Sequence, residues 1–166
     1  HTKVQLLDGG FPAWQADGLS VSMEAVSPKP GDFIAMIQPE KLVTKLRMRL
    51  ATRADKSIIL DARSQDEYAG FKSITDRYGH IPQAINIPWG NNVNSGGDFP
   101  QMKTFPELQQ VYAGLDKNKK ILTYCNKGKG SSFAYFVLRQ MGLDVAHYDG
   151  SWFEWSSDVS LPIVSP

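Results

Sequence analysis

The stretch Lys120-Ile121-Leu122-Thr123-Tyr124, running into Cys125-Asn126-Lys127-Gly128-Lys129-Gly130 and then into Ser131 to Met141, decides the fold. Its first part is a short apolar run with no regular polar face, the pattern of a strand buried on both sides. Its last part reads as a helix, and Gly142 suits the left-handed position that ends one. A buried strand turning directly into a helix is the repeating unit of an α/β domain. The expected architecture is a mainly parallel central sheet flanked by helices.

The same alternation extends outward from this unit. Ser57 to Leu60 is a second apolar, partly β-branched run, and it ends at Asp61. Ser64 with Glu67 forms a capping-box pattern opening a short helix through about Ala69, and Thr104 with Glu107 repeats it before Leu108 to Ala113. Pro39, expected in a first helical turn, precedes an apolar stripe of Leu42, Val43, Leu46 and Leu50. Ile85 to Ile87 reads as a short strand and Val145 to Tyr148 as the last one.

In open α/β sheets, ligands sit beyond the carboxyl ends of the strands, where the turn after Tyr124 falls. Gly128 and Gly130 let its backbone curl so that successive amides face one centre, and the following helix adds the positive end of its dipole. Such a cradle binds anions. A sulfur at its centre is stabilised as thiolate by those amides and by Lys127 and Lys129, which makes Cys125 a candidate nucleophile. The alternative is a small buried hydrophobe beside a turn shaped only for packing. A cysteine that opens a Gly- and Lys-rich turn into a helix favours the nucleophile.

Composition removes several other classes. The 166 residues are 42% hydrophobic, and 18 basic against 17 acidic side chains leave a net charge of +1. The longest apolar run, Phe133 to Leu138, falls far short of the roughly 18 residues of a membrane span. Lys and Arg are scattered and form no footprint for nucleic acid. Cys125 is the single cysteine, which excludes an intramolecular disulfide and a cysteine-rich zinc module and leaves the compartment open.

Val4, Asp8, Gly9, Trp14 and Asp17 recur as Val145, Asp149, Gly150, Trp155 and Asp158 at one offset (145 − 4 = 141), with Phe11 matched to Trp152. Residues 1–26, with strand-like Val4 to Leu7, are therefore expected to be the end of a preceding domain. Residues 27–32, with Pro28, Pro30 and Gly31, form a linker, and 33–166 a complete second domain.

At these residues the chain resembles the rhodanese (sulfurtransferase) family. The resemblance runs in order through Leu60-Asp61-Ala62-Arg63, Glu67-Tyr68-Ala69-Gly70, Gly79-His80-Ile81-Pro82-Gln83-Ala84 to Trp89, the Cys125 turn, and Tyr148-Asp149-Gly150-Ser151-Trp152 to Trp155. Leu7-Asp8-Gly9-Gly10-Phe11-Pro12-Ala13-Trp14 is similar to the end of another such domain, so the parent resembles tandem sulfurtransferases, whose C-terminal copy usually carries the active cysteine. The resemblance implies that Cys125 takes sulfur from thiosulfate or 3-mercaptopyruvate. It then passes that sulfur, held as a persulfide, to a thiophilic acceptor: cyanide, a thiol or a thioredoxin-like protein. No metal or organic cofactor is implied, and an upstream rhodanese domain is the implied partner. Asn126, Lys127, Gly128, Lys129, Gly130, Ser131 and Arg63 are the implied substrate-binding residues, with Asp61 supporting.

Departures from the family bear on the substrate. Thiosulfate-type members tend to open the loop with Cys-Arg-Lys-Gly and mercaptopyruvate-type members with Cys-Gly-Ser-Gly; here Lys127 leans toward thiosulfate. The family's Arg or Thr at the sixth loop position is Gly130, with Lys129 expected to stand in for it. An arginine often found one turn into the helix after Asp-x-Arg is Glu67, which replaces attraction for a donor anion with repulsion. A phosphatase on the same fold needs an arginine six residues beyond the cysteine, where this chain has Ser131. A non-catalytic interaction or sulfur-carrier module is the remaining alternative. Asp61 and Arg63 read equally as site or as a structural pair. His80 reads as fixing a turn, His147 as packing, and Trp89 and Trp152 either as lining the mouth of the site or as capping the core.

Overall fold

The computed structural model describes residues 4–165; residues 1–3 and 166, at the ends of the expected segments 1–26 and 33–166, lie outside the described residues. From the amino end the elements are α1 (Gly10–Ala16), α2 (Lys45–Ala51), β1 (Ser57–Asp61), α3 (Gln65–Tyr68) and β2 (Ala84–Asn86). A 3-10 turn at Trp89–Asn92, β3 (Val93–Asn94), β4 (Gln101–Met102) and α4 (Phe105–Val111) follow. The chain closes with β5 (Lys120–Tyr124), α5 (Lys129–Gln140), β6 (Val145–His147) and α6 (Ser151–Ser157). These fall into two compact units, one of His1–Ile37 with Val93–Lys103, the other of Gln38–Asn92 with Thr104–Pro166.

In the first unit α1 follows the Asp8-Gly9 turn, and β3 pairs antiparallel with β4 through Val93↔Met102 and Asn94↔Gln101. The Asp8 carboxylate accepts from the amides of Gly9 and Met102 at 3.1 and 2.9 Å. The sequence repeat is visible as structure: α1 and α6 begin and end at the same 141-residue offset (151 − 10 and 157 − 16). Val4 to Leu7 is exposed and forms no strand; the Leu7 carbonyl accepts from the Gly10 amide at 3.0 Å, in the turn that opens α1.

The second unit holds a four-stranded parallel sheet in the order β2-β1-β5-β6. Parallel pairing brings all four carboxyl ends to one edge. From β1 the chain moves outward to β2 and then returns to place β5 on the other side of β1, so the topological switch lies between β1 and β5. Their last residues, Asp61 and Tyr124, stand in register. On one face of the sheet Ile59, Leu122, Tyr124, Ala146 and Tyr148 pack with Met48 of α2 and with Trp152 and Trp155 of α6. The α5 helix, with buried Ala134, Val137 and Leu138, packs on β5 and β6.

Helix starts follow their caps. The Glu67 and Glu107 carboxylates each accept from the amide and hydroxyl of their cap residue, Ser64 and Thr104. The expected helix near Pro39 begins only at Lys45, because residues 41–43 lie alongside β6: the His147 amide donates to the Lys41 carbonyl at 2.9 Å and the Val43 amide to the His147 carbonyl at 2.8 Å. Thr44 then caps the helix, accepting from the Arg47 amide. The expected stripe is corrected accordingly. Leu46 and Leu50 stay 64% and 57% exposed, and Met48 is the side chain of that helix that enters the core.

A buried polar network closes the switch point. The Asp61 carboxylate accepts from Arg63 Nε at 3.0 Å, Arg63 NH2 at 2.6 Å, the Arg63 amide at 2.9 Å and Tyr124 Oη at 2.5 Å. Arg63 NH2 also donates to the Gly79 carbonyl, and its guanidinium lies 4.4 Å from the centre of the Trp152 ring. Burial alone would discharge Arg63, but the contact with Asp61 outweighs it and raises its pKa. Burial, reinforced by Asp61, pushes the Tyr124 phenol well above its usual range, so it stays a donor. Asp61→Ala leaves the guanidinium buried without its counterion and is expected to cost about 3–5 kcal/mol in urea unfolding, while Tyr124→Phe costs about 1–2 kcal/mol. Equal losses for the two variants would show that the ion pair is not what holds the network.

Candidate active site

Cys125 follows directly on β5, so its position is fixed by the sheet. Its amide donates to Ser151 Oγ at 3.2 Å, and the carbonyls of Cys125 and Asn126 accept from the amides of Trp152 and Phe153 at 2.9 and 3.0 Å. Those bonds commit the carbonyls to the start of α6. The amides of residues 126–131 donate to no protein acceptor among the described residues, so they form a set of donors open to a ligand at the amino end of α5. Ser151 holds a left-handed backbone, φ 52°, between two bonds: its hydroxyl accepts from Cys125 and donates to the Tyr148 carbonyl.

The glycines of the turn answer to close neighbours. Gly128 takes φ 84° and caps α5, which therefore starts at Lys129, two residues earlier than expected; a Cβ there would come 2.7 Å from Asp149 Oδ1. A Cβ on Gly130 would come 2.5 Å from Trp89 Cδ1. The side-chain volume missing at position 130 is thus filled by the Trp89 indole, an exchange that reading the turn by itself could not show.

A cavity of about 600 Å³ opens over the turn, with Arg63, Glu67, Ile74, Trp89 and Phe133 on its walls. Cys125, only 5% exposed, reaches it from below, and Asn126, Lys127, Lys129 and Gly130 line it as well. Gly128 and Ser131 are buried beneath, and Asp61 stands behind Arg63 and off the cavity. Trp89, 46% exposed, forms a wall, whereas Trp152 is wholly buried under the Arg63 guanidinium and belongs to the core. His80 stacks on the Tyr68 ring at 3.9 Å and bonds the Tyr68 carbonyl. Lys127 Nζ lies 5.0 Å above the Phe153 ring. Among the described residues no three His, Cys, Asp or Glu side chains are placed to hold a metal ion, and no helix is long and apolar enough to cross a membrane.

Two side chains meet partners in the site that the sequence did not indicate. Glu67 accepts from Asn126 Nδ2 at 2.6 Å while capping Ser64. Burial opposes its ionisation, but those hydrogen bonds and Arg63 prevail and hold its carboxyl below the ordinary range, so the cavity wall carries a negative charge. His147, expected to be packing, has Nε2 2.9 Å from Ser131 Oγ, which in turn lies 3.3 Å from Cys125 Sγ. A Ser at the start of the helix and a His on the neighbouring strand were both visible in the sequence; their convergence on the sulfur required the β5–β6 register.

The rhodanese-like domain profile matches residues 43–158. Proteins named "Putative thiosulfate sulfurtransferase" from Saccharopolyspora erythraea and Mycobacterium leprae are each 37% identical, over 100% and 98% of this chain. The chain spans 62% of the length of those relatives. Among solved structures, EanB carrying a cysteine persulfide in a tetrahedral intermediate state with ergothioneine is similar with TM-score 0.84 and 27% identity, over 96% of this chain and 41% of that one. The anaerobic ergothioneine biosynthesis enzyme from Chlorobium limicola, in complex with trimethyl histidine, gives TM-score 0.84 and 27% identity over 96% of this chain and 40% of that one. From its parallel sheet to the cysteine turn at the switch point, the chain belongs to the rhodanese-like domain family.

Proposed function

We propose that the chain is the sulfur-transferring part of a sulfurtransferase, with Cys125 carrying the sulfur as a persulfide. The observation that carries this reading is Cys125 lining the cavity at the start of a turn whose next six amides meet no protein acceptor among the described residues. The Cys125 thiolate attacks the outer sulfur of thiosulfate, the donor's S–S bond breaks, and sulfite leaves with the bonding pair. The persulfide anion then lies against the open amides, which solvate it without reorganising. A thiophilic acceptor attacks the outer sulfur, and the Cys125 thiolate is regenerated. The persulfide captured in the structurally similar EanB supports the same intermediate here. Residues 1–26 are read as the end of a preceding rhodanese-like domain.

Intact mass after thiosulfate treatment is expected to rise by one sulfur atom, and cyanide should release it as thiocyanate; Cys125→Ala should do neither. No mass gain from thiosulfate or mercaptopyruvate favours the second reading, an interaction or carrier module, for which the Glu67 charge on the wall is the supporting observation.

Glu67→Gln keeps a side chain able to bond Asn126 and removes the negative charge. KM for thiosulfate is expected to fall by a factor of about three to ten with kcat little changed, and KM for the singly charged mercaptopyruvate less. An unchanged KM for both would remove Glu67 from donor selection. Replacing Lys127 and Lys129 together by Ala should slow alkylation of Cys125 near neutral pH by a factor of about three to ten. An unchanged rate would leave the amides as what sets its reactivity.

A further inference from the structure

We propose that Ser131 and His147 form a proton relay for Cys125, Ser131 touching the sulfur and His147 acting through Ser131. The inference rests on Cys125 being the nucleophile. Ser131 Oγ is 3.3 Å from Cys125 Sγ and 2.9 Å from His147 Nε2, and all three residues are buried. A hydroxyl has one proton and two lone pairs, so it can accept from one neighbour while donating to the other. Two proton arrangements therefore fit one set of heavy atoms. In the first, the Cys125 S–H donates to Ser131 Oγ and the Ser131 hydroxyl donates to unprotonated Nε2. In the second, the thiol proton has passed to Ser131 and the original Ser131 proton to His147. Imidazolium Nε2–H now donates to Ser131 Oγ, and the Ser131 hydroxyl donates to the thiolate. One S–H and one O–H bond break, one O–H and one N–H bond form, and the net charge of the site is unchanged.

The fold gives both the need and the means. Cys125 is only 5% exposed, so little solvent reaches it to take the thiol proton. His147 lies opposite Thr123 in the β5–β6 register, and Ser131, in the first turn of α5, bonds the Thr123 hydroxyl through its carbonyl at 3.4 Å. The Gly128 carbonyl, 3.1 Å from Ser131 Oγ, competes for the hydroxyl proton but has none to return. Around His147 stand the Asp149 carboxylate, the Tyr135 ring with its centre 6.3 Å away, and the Lys41 main chain. Burial holds the imidazole below its ordinary range against the pull of Asp149 and the Gly128 carbonyl, so it is an unprotonated acceptor near neutral pH.

The test is the pH profile of Cys125 alkylation by iodoacetamide in the whole chain and in Ser131→Ala, His147→Gln, the double variant and Ser131→Thr. His147→Gln retains a hydrogen-bonding side chain that cannot take a proton, and it carries the test by itself if Ser131→Ala does not fold. Each single loss is expected to slow alkylation near neutral pH about tenfold and to leave the rate in strong base, where any thiol is ionised, unchanged. The double variant should be no slower than either single one, because both cut the same chain, and Ser131→Thr should restore the rate. An unchanged neutral rate, a loss equal at every pH, or losses that multiply in the double variant would overturn the relay. Alkylation uses no sulfur donor, so a protein that takes no sulfur from thiosulfate or mercaptopyruvate yet shows this profile loses the transferase reading and keeps the relay.

Discussion

The register of two adjacent parallel strands governs the site. Pairing Asp61 with Tyr124 puts a carboxylate beside a phenol at the switch point, and Arg63 folds back over the same carboxylate. Because Tyr124 immediately precedes Cys125, any slip of β5 against β1 would move Cys125 and turn every side chain of the strand to the other face. The network is costly to desolvate, and its members are all buried. Its contribution is therefore positional: it locks the end of β5 while the turn beyond it stays open to a ligand.

Rigidity and reactivity are divided between main chain and side chains. The carbonyls of Cys125 and Asn126 are tied to α6, and the amides of residues 126–131 meet no protein acceptor among the described residues, so this set of open donors is built from backbone that no single substitution removes. Side chains adjust what that backbone offers. Glu67 sets a negative charge on one wall, and Lys127 is drawn toward the Phe153 ring. The open amides and the charge of the cavity wall thus rest on different groups.

Much of this was legible in the sequence for identifiable reasons. The parallel sheet was readable because β1 and β5 are apolar on both faces, and the starts of α3 and α4 because capping boxes are local. The place of the turn was readable because the apolar run of β5 ends beside two glycines, and a helix follows them. What escaped depended on distant contacts. The start of α2 was displaced by main-chain bonds to β6, and Leu46 and Leu50 point outward because Met48 takes the core position. The pairing of Ser131 with His147 depends on strand register, which a linear pattern does not specify.

The Trp89 indole and the bare backbone of Gly130 occupy one shared volume. Two positions 41 residues apart in sequence (130 − 89) are thereby bound as a single unit of shape. A side chain added at position 130 meets the indole at its first carbon, so it fits only where the indole shifts or is made smaller. In this chain the cavity wall at that point is therefore an aromatic plate, and a polar arm on residue 130 would have to take the place of the indole.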